Sequence, residues 1–344
     1  MTSSPGHTPE TVLVTGGGGF LGCALVRALA ARGDRVRSFS RRPRADLSAM
    51  GVAQVQGDIA DRQTLEGACR GMDAVFHTAA KPPPWGAYRE YHRTNVTGTQ
   101  NVIAACRKNS VHRLIHTSTP SVIFNGRDLQ GVDESAPYPQ RYTASYPLTK
   151  ALAEQAVIRA ADGELNTIVL RPHQIWGPED PHFVPRILAQ ARRLRRIGDG
   201  RNRGDTTYID NAAEAHLLAA DALKSKPALS GRVYFISQGE PMPAWDMIDA
   251  ILKAAGLGPV KGHVSHRFAW MAGLIFEKIY AWLRLPGEPP MTRFVADALA
   301  KSHWFDIRAA RQDLGYHPKV STLEGLARLA AWLHSHSQGG HGKK

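Results

Sequence analysis

Five residues rich in β-branched side chains, Thr11-Val12-Leu13-Val14-Thr15, run without a break into Gly16-Gly17-Gly18-Gly19-Phe20-Leu21-Gly22. The pattern then changes to a helical period, Cys23-Ala24-Leu25-Val26-Arg27-Ala28-Leu29, and stops at Gly33. No other stretch limits the architecture as much. The succession predicts a strand, a glycine turn, a helix and a glycine C-cap. Glycines at 16, 19 and 22 let the backbone turn tightly and approach a pyrophosphate, with the helix N-terminus facing its charge. Gly16, Gly19, Phe20, Leu21 and Gly22 are therefore candidate contacts to a dinucleotide.

The second strand, Arg35 to Ser40, leads into Arg41-Arg42. A site built for NAD usually carries an acidic side chain at the end of this strand. Here Asp34 comes too early, and Ser40, Arg41 and Arg42 suit a 2′-phosphate, so NADP(H) is expected ahead of NAD(H). Val52 to Ile59 reads as a third strand that brings Asp58 and Ile59 to the adenine edge. Ala74-Val75-Phe76-His77-Thr78-Ala79-Ala80 reads as a buried fourth, with His77 in the core and Ala79 and Ala80 small enough for backbone contact with a cofactor. Lys81-Pro82-Pro83-Pro84-Trp85-Gly86 follows as a stiff loop at the sheet edge where ligands bind, so Lys81 is a cofactor candidate and Trp85 a candidate pocket wall, with packing onto the domain's own surface as the equal alternative for Trp85. A helix over roughly 88–109 precedes a strand expected at 113–121, whose alternation puts Thr117, Thr119 and Ser121 on one side. Thr167 to Pro172 is a strand stopped by proline before His173, Ile175 and Gly177-Pro178, and Val233 to Ser237 is one further strand returning late. Strands alternating with helices predict an α/β fold, a Rossmann-type doubly wound parallel sheet with a smaller, mostly helical C-terminal substrate region. The dinucleotide-binding domain is expected over 10–172 with 206–237 returning to it, and the substrate region over 173–205 and 238–334.

Tyr146 and Lys150 stand four apart in Tyr142-Thr143-Ala144-Ser145-Tyr146-Pro147-Leu148-Thr149-Lys150. On a helix they share a face. A phenol titrates near pH 10 in water, and a cation beside it favours the phenolate and pulls that value down. The pair is thus a candidate acid/base group for neutral pH. Pro147 is tolerated in a first helical turn, where its missing N–H would be unpaired anyway.

With 344 residues the chain can bury a full core, and its three scattered cysteines (Cys23, Cys69, Cys106) argue against disulfides and zinc and for a reducing cytoplasm. No metal site is expected. Residues 1–9 lack the apolar segment of a secretory signal, and 1–9 and 335–344 read as disordered ends. A formal net charge of +13 attracts anions, yet Arg192-Arg193-Leu194-Arg195-Arg196 has no interleaved aromatics, so it reads as a solvated helix face plus a loop with no nucleic-acid partner, an anionic substrate or cofactor phosphate being the alternative. Phe268 to Leu285 is nearly all apolar but broken by Glu277, Lys278 and Arg284. It is too short and polar for a transmembrane segment, and reads as a buried or cavity-lining helix with peripheral membrane contact as the alternative.

Gly16-x-x-Gly19-x-x-Gly22, Asp58-Ile59, Asn95, Thr119, Tyr146-x-x-x-Lys150 and Arg171-Pro172…Gly177-Pro178 occur in one order. Together they resemble the extended short-chain dehydrogenase/reductase superfamily over nearly the whole chain, in its 3β-hydroxysteroid dehydrogenase-like branch. Lys81…Trp85-Gly86, Tyr91-His92-x-x-Asn95-Val96-x-Gly98-Thr99, Thr117 to Val122 and Leu285-Pro286-Gly287-Glu288 are similar to the bacterial keto-acid reductases of long-chain olefin synthesis. The resemblance implies Tyr146 as proton donor, Lys150 holding the nicotinamide ribose and lowering the Tyr146 pKa, and Thr119 in the place of the family serine, with Ser118 or Ser121 as alternatives. It implies Thr117, Pro172 and Ile175 along the cofactor, and Trp85, Thr119, Ser121 and His173 toward substrate. His77-Thr78-Ala79-Ala80 departs from the family's Asn-Ala-Ala. The implied reaction is NADPH-dependent, reversible reduction of the 3-keto group of a 2-alkyl-3-oxoalkanoic acid, by a homodimer that assembles with other enzymes of the olefin pathway. A hydroxysteroid dehydrogenase with the same catalytic residues is the alternative, and a non-catalytic NADP(H) sensor is the alternative of another class.

Overall fold

The computed structural model describes residues 7–83 and 85–337. β1 (Thr11–Thr15) lies inside a seven-stranded sheet, third from one edge, and its Val12, Leu13 and Val14 are at most 1% exposed. Burial on both faces is what a parallel sheet under two helical layers demands. The other strands are β2 (Arg35–Ser40), β3 (Ala53–Gln56), β4 (Ala74–His77), β5 (Arg113–Thr117), β6 (Asn166–Pro172) and β7 (Arg232–Ile236). All pair in parallel, in the order β3-β2-β1-β4-β5-β6-β7. The order reverses between β1 and β4, which opens a crevice beyond their C-terminal ends. This is the doubly wound Rossmann-type α/β fold that the sequence predicts.

Alternation sorts the core. Val12 and Val14 pack with α1 (Phe20–Arg32) on one face, whereas Leu13 packs on the other with α2 (Gly98–Lys108) and α3 (Ser145–Arg159). α4 (Ile209–Ser225) joins the first face. A third cluster, around Trp176, Tyr208, Trp245 and Ile251, gathers the C-terminal helices, and Phe20, Leu21 and Ile175 pack against it. α5 (His266–Leu283) and α6 (Arg293–Ala300) follow, and α7 (Thr322–Ser337) closes the described chain.

Several expectations need correction. The strand expected through Ser121 ends at Thr117, because Thr119 takes the Ser121 N–H on its hydroxyl at 3.2 Å and Pro120 opens a 3-10 turn over Pro120–Ile123. The alternation of Thr117, Thr119 and Ser121 is lost with it. Of the ends expected to be disordered, residues 1–6 and 338–344 lie outside the described residues. His7 bonds Asp34 at 2.7 Å, and residues 335–337 belong to α7. The helix before the arginine run stops at Gln190, and Arg192, Arg193 and Arg195 sit exposed beyond it. α5 is not a buried helix, since Phe268, Met271, Ile275, Ile279 and Trp282 are all exposed. No helix among the described residues is long and apolar enough to cross a membrane.

Candidate active site

α3 begins at Ser145 with Pro147 in its first turn, after an extended Ala144. Tyr146 and Lys150 then rise one above the other toward the end of β5. The Lys150 ammonium, 3% exposed, donates to the Thr117 carbonyl at 2.6 Å. The Thr119 hydroxyl is near enough to the Tyr146 phenol to favour its ionised form, and the Tyr146 ring meets Tyr91 edge-on at 6.2 Å. Thr119 also lies 3.2 Å from the Ser121 hydroxyl. Of the three candidate hydroxyls, Thr119 is the one whose field reaches the phenol; Ser118 is buried with its hydroxyl unpartnered.

The expected depression of the Tyr146 pKa is corrected. Burial pushes the phenol up to about 12, against a smaller downward pull from Thr119. Burial also brings Lys150 down to about 8, opposed by the charge of Glu154 one turn further on. The physical reason is that the ammonium is itself disfavoured in this interior and spends its hydrogen bond on a backbone carbonyl. Glu154 was not foreseen from the sequence. Its carboxylate takes Nε (3.1 Å) and Nη2 (2.6 Å) of Arg171 in β6, both side chains out of solvent, and the half-buried Tyr138 hydroxyl at 2.6 Å.

Asn95 has a structural role that its place in the sequence motif does not reveal. It is 1% exposed, in the π-helical stretch His92–Thr97 ahead of α2. Its side-chain oxygen accepts the Lys81 N–H at 2.8 Å and its amide donates to Thr149 at 3.1 Å, so it ties the loop after β4 to α3. His77 is a core residue as expected, held between Thr15 (2.7 Å) and Thr99 (2.9 Å).

The glycine turn is packed so closely that side chains have no room. A Cβ on Gly22 would stand 2.1 Å from the Gly16 carbonyl oxygen, and one on Gly16, whose φ is +75°, would stand 2.7 Å from the Ala79 nitrogen. Gly19 caps α1 without a side-chain bond, leaving the first-turn N–H groups facing the crevice. At the end of β2 the Ser40 hydroxyl donates to the Arg42 carbonyl at 2.7 Å. Arg41 and Arg42 are exposed, and among the described residues neither guanidinium has a partner. Asp58 is less free than the sequence suggests: one oxygen accepts the Ala60 N–H (2.9 Å) and the other pairs with Arg93 (2.9 Å), while Ile59 is buried against Gly98. Lys81 turns its ammonium to Glu90 at 2.7 Å, Thr117 spends its hydroxyl on His216 at 2.8 Å, and Pro172 is buried at the end of β6. A cradle that a Cβ would fill, free helix-terminal amides and two unpaired cations fit an anionic dinucleotide.

Beside Tyr146 a cavity of about 580 Å³ opens between the Trp85–Tyr91 stretch, the start of α3, and α5 and α6. Trp85 lines it as expected. His173 does not: its Nδ1 lies 2.7 Å from the buried Asp205 carboxylate and its ring packs edge-on to Phe305 at 5.1 Å, so the side chain is committed to the fold. Thr119 and Ser121 stay with the phenol, outside the lining. The 268–285 stretch lines the cavity through Leu274, Glu277, Lys278 and Ala281, the cavity-lining alternative of its sequence reading, whereas Arg293 and Phe294 carry no signal in the sequence.

Arranged in this way, the chain is an NAD(P)-dependent oxidoreductase of the extended short-chain dehydrogenase/reductase class. Its fold is that of MoeE5 in complex with UDP-glucose and NAD (26% identity, TM-score 0.74, 95% of this chain and 99% of that one). It is equally that of gox2253 (26% identity, TM-score 0.76, 96% and 99%). Residues 13–264 match the 3-beta hydroxysteroid dehydrogenase/isomerase family, to which the chain belongs. Among relatives, the 2-alkyl-3-oxoalkanoate reductase of Stenotrophomonas maltophilia is 50% identical over 93% of this chain and 98% of its own length. That of Shewanella oneidensis is 45% identical over 93% and 85%, and the mouse sterol-4-alpha-carboxylate 3-dehydrogenase, decarboxylating, is 33% identical over 93% and 90%.

Proposed function

We propose that the protein reduces the 3-keto group of a 2-alkyl-3-oxoalkanoic acid to the 2-alkyl-3-hydroxy acid, reversibly and with NADPH, in long-chain olefin biosynthesis. The observation that carries this reading is the pair of relatives named for that reductase, similar to this chain over 93% of its length. The chemistry supplied by a bound nicotinamide is hydride transfer to the keto carbon. Tyr146, protonated at neutral pH with its pKa near 12, donates a proton to the oxygen on which charge develops. Thr119 hydrogen-bonds that same centre, so stabilisation follows the charge as it forms. Lys150 holds the nicotinamide ribose and supplies a positive field. Arg41 and Arg42 select the 2′-phosphate of NADPH over NADH, and Gly16 to Gly22 seat the pyrophosphate.

Residues 173–205 and 238–334 serve as the substrate region, and residues 10–172 with 206–237 as the dinucleotide-binding part. The protein works in the cytoplasm as a homodimer alongside other enzymes of the pathway. The exposed Phe268, Met271, Ile275, Ile279 and Trp282 face of α5 supports peripheral membrane contact as well. A second reading, a hydroxysteroid dehydrogenase, is favoured by the sterol relatives. The decisive experiment follows NADPH absorbance on a 2-alkyl-3-oxo acid and on a 3-ketosteroid. Faster loss on the acid supports the first reading; turnover of the steroid alone replaces it with the second.

A further inference from the structure

α5 and α6 touch at Gly273, where a Cβ would stand 2.6 Å from the Thr292 carbonyl carbon and 2.7 Å from the Arg293 nitrogen. That approach sets Glu277, one turn further along α5, opposite Arg293. One Glu277 oxygen accepts the Arg293 backbone N–H at 2.8 Å and the other its Nε at 2.8 Å. The guanidinium also lies over the Trp270 ring, 5.7 Å from its centroid. Arg293 is therefore held from two sides, while its two terminal amino groups donate to nothing among the described residues. The next residue on α5, Lys278, lines the same cavity, is exposed, and likewise has no acidic partner among the described residues.

The other charges at this cavity are neutralised. Glu90 and Glu288, whose fields reach Tyr91, pair with Lys81 (2.7 Å) and Arg186 (2.9 Å). Of the charged lining residues, two are cations and one, Glu277, is an anion already bound to Arg293. One positive charge and an unused guanidinium fork are left over, beside an apolar part of the wall formed by Trp85, Leu148, Leu274, Ala281 and Phe294, with uncharged hydroxyl residues such as Tyr142 and Thr143 completing the lining. A planar fork with a neighbouring ammonium matches a carboxylate.

Resting on the reductase reading above, we propose that Arg293 and Lys278 form the carboxylate subsite of the cavity. They hold the acid head of an amphipathic substrate, while the apolar wall takes its alkyl chain. Glu277 acts through Arg293 as a positioning residue.

The test compares a 2-alkyl-3-hydroxy acid with its methyl ester, in the oxidation direction, since 3-oxo acids lose carbon dioxide in solution. Lys278→Gln is expected to raise KM for the acid about tenfold, the loss of one charge-assisted hydrogen bond, with kcat and the ester's KM within twofold of the parent. Lys278→Glu, at an exposed position that tolerates the change, raises the acid's KM further and still spares the ester. Arg293→Lys keeps the charge but loses the fork, and its effect also falls on the acid alone. Equal effects on acid and ester, or none on either, overturn the subsite while leaving the reductase reading intact. If the parent enzyme turns over neither compound, the reductase reading itself fails, and the subsite with it.

Discussion

Replacing Glu154 by glutamine is expected to cost about 3–5 kcal/mol of folding stability, the range for removing one partner of a buried ion pair. The structure explains why the upper part of that range is in reach. Arg171 is 2% exposed, stacked between Tyr138 (5.8 Å) and Phe235 (5.2 Å), and its Nη1 already lacks a partner. The carboxylate accepts three hydrogen bonds, from Nε, Nη2 and the Tyr138 hydroxyl. An amide at the same place offers one oxygen, and its NH2 group must face another donor. The guanidinium is then left charged, buried and uncompensated. Urea denaturation followed by circular dichroism measures the loss. A second consequence can be read separately. Without the Glu154 charge that supports it, Lys150 gives up its proton below its present value of about 8, so the alkaline limb of activity moves to lower pH. A destabilisation under about 1 kcal/mol, the size of an ordinary substitution, together with an unshifted limb, would refute the reasoning. Glu154→Leu with Arg171→Met, which removes both charges, should recover most of the stability.

Three other outcomes follow from the same geometry. Reduction should hold steady from pH 6 to 7.5 and fall through a limb near 8, because Lys150, lowered by burial to about 8, is charged below that value and neutral above it; Lys150→Arg should remove the limb, and a flat profile to pH 9.5 contradicts the assignment. Tyr146, pushed up to about 12, stays protonated throughout, so oxidation of the hydroxy acid should accelerate with pH where reduction slows. Arg41→Ala with Arg42→Ala should weaken NADPH binding about tenfold or more, the loss of at least one charge-assisted contact, and leave NADH binding unchanged; titration calorimetry with the two cofactors checks it, and equal effects on both would place the 2′-phosphate elsewhere.

What the sequence disclosed and what it hid differ for physical reasons. β1, the glycine turn and α1 were legible because each obeys a local rule: a buried strand period, a crowded turn that excludes Cβ atoms, and a left-handed glycine cap at Gly33 with φ of 98°. The Tyr146–Lys150 pair was legible through helical spacing, but its electrostatics were not. Spacing says which groups share a face, whereas the pKa depends on how much water the fold excludes, and that exclusion raised the phenol instead of lowering it. The strand alternation expected to carry Thr119 fails, since that strand stops at Thr117. The contact that shapes the cavity wall was illegible for another reason. Gly273, Glu277 and Arg293 acquire meaning only when α5 and α6 meet, a contact no local pattern announces. His173 shows the converse, a residue conspicuous beside a strand end that the fold spends on Asp205.

The central claim is that the Tyr146 hydroxyl supplies the proton. Its most direct measurement is the turnover of Tyr146→Phe on a 2-alkyl-3-oxo acid, with NADPH affinity determined in parallel by fluorescence. Removing a single hydroxyl that acts as general acid should lower kcat by about 10²–10⁴-fold, while NADPH binds within twofold of the parent. A variant that binds the cofactor and still turns over at near-parental rate would contradict the account.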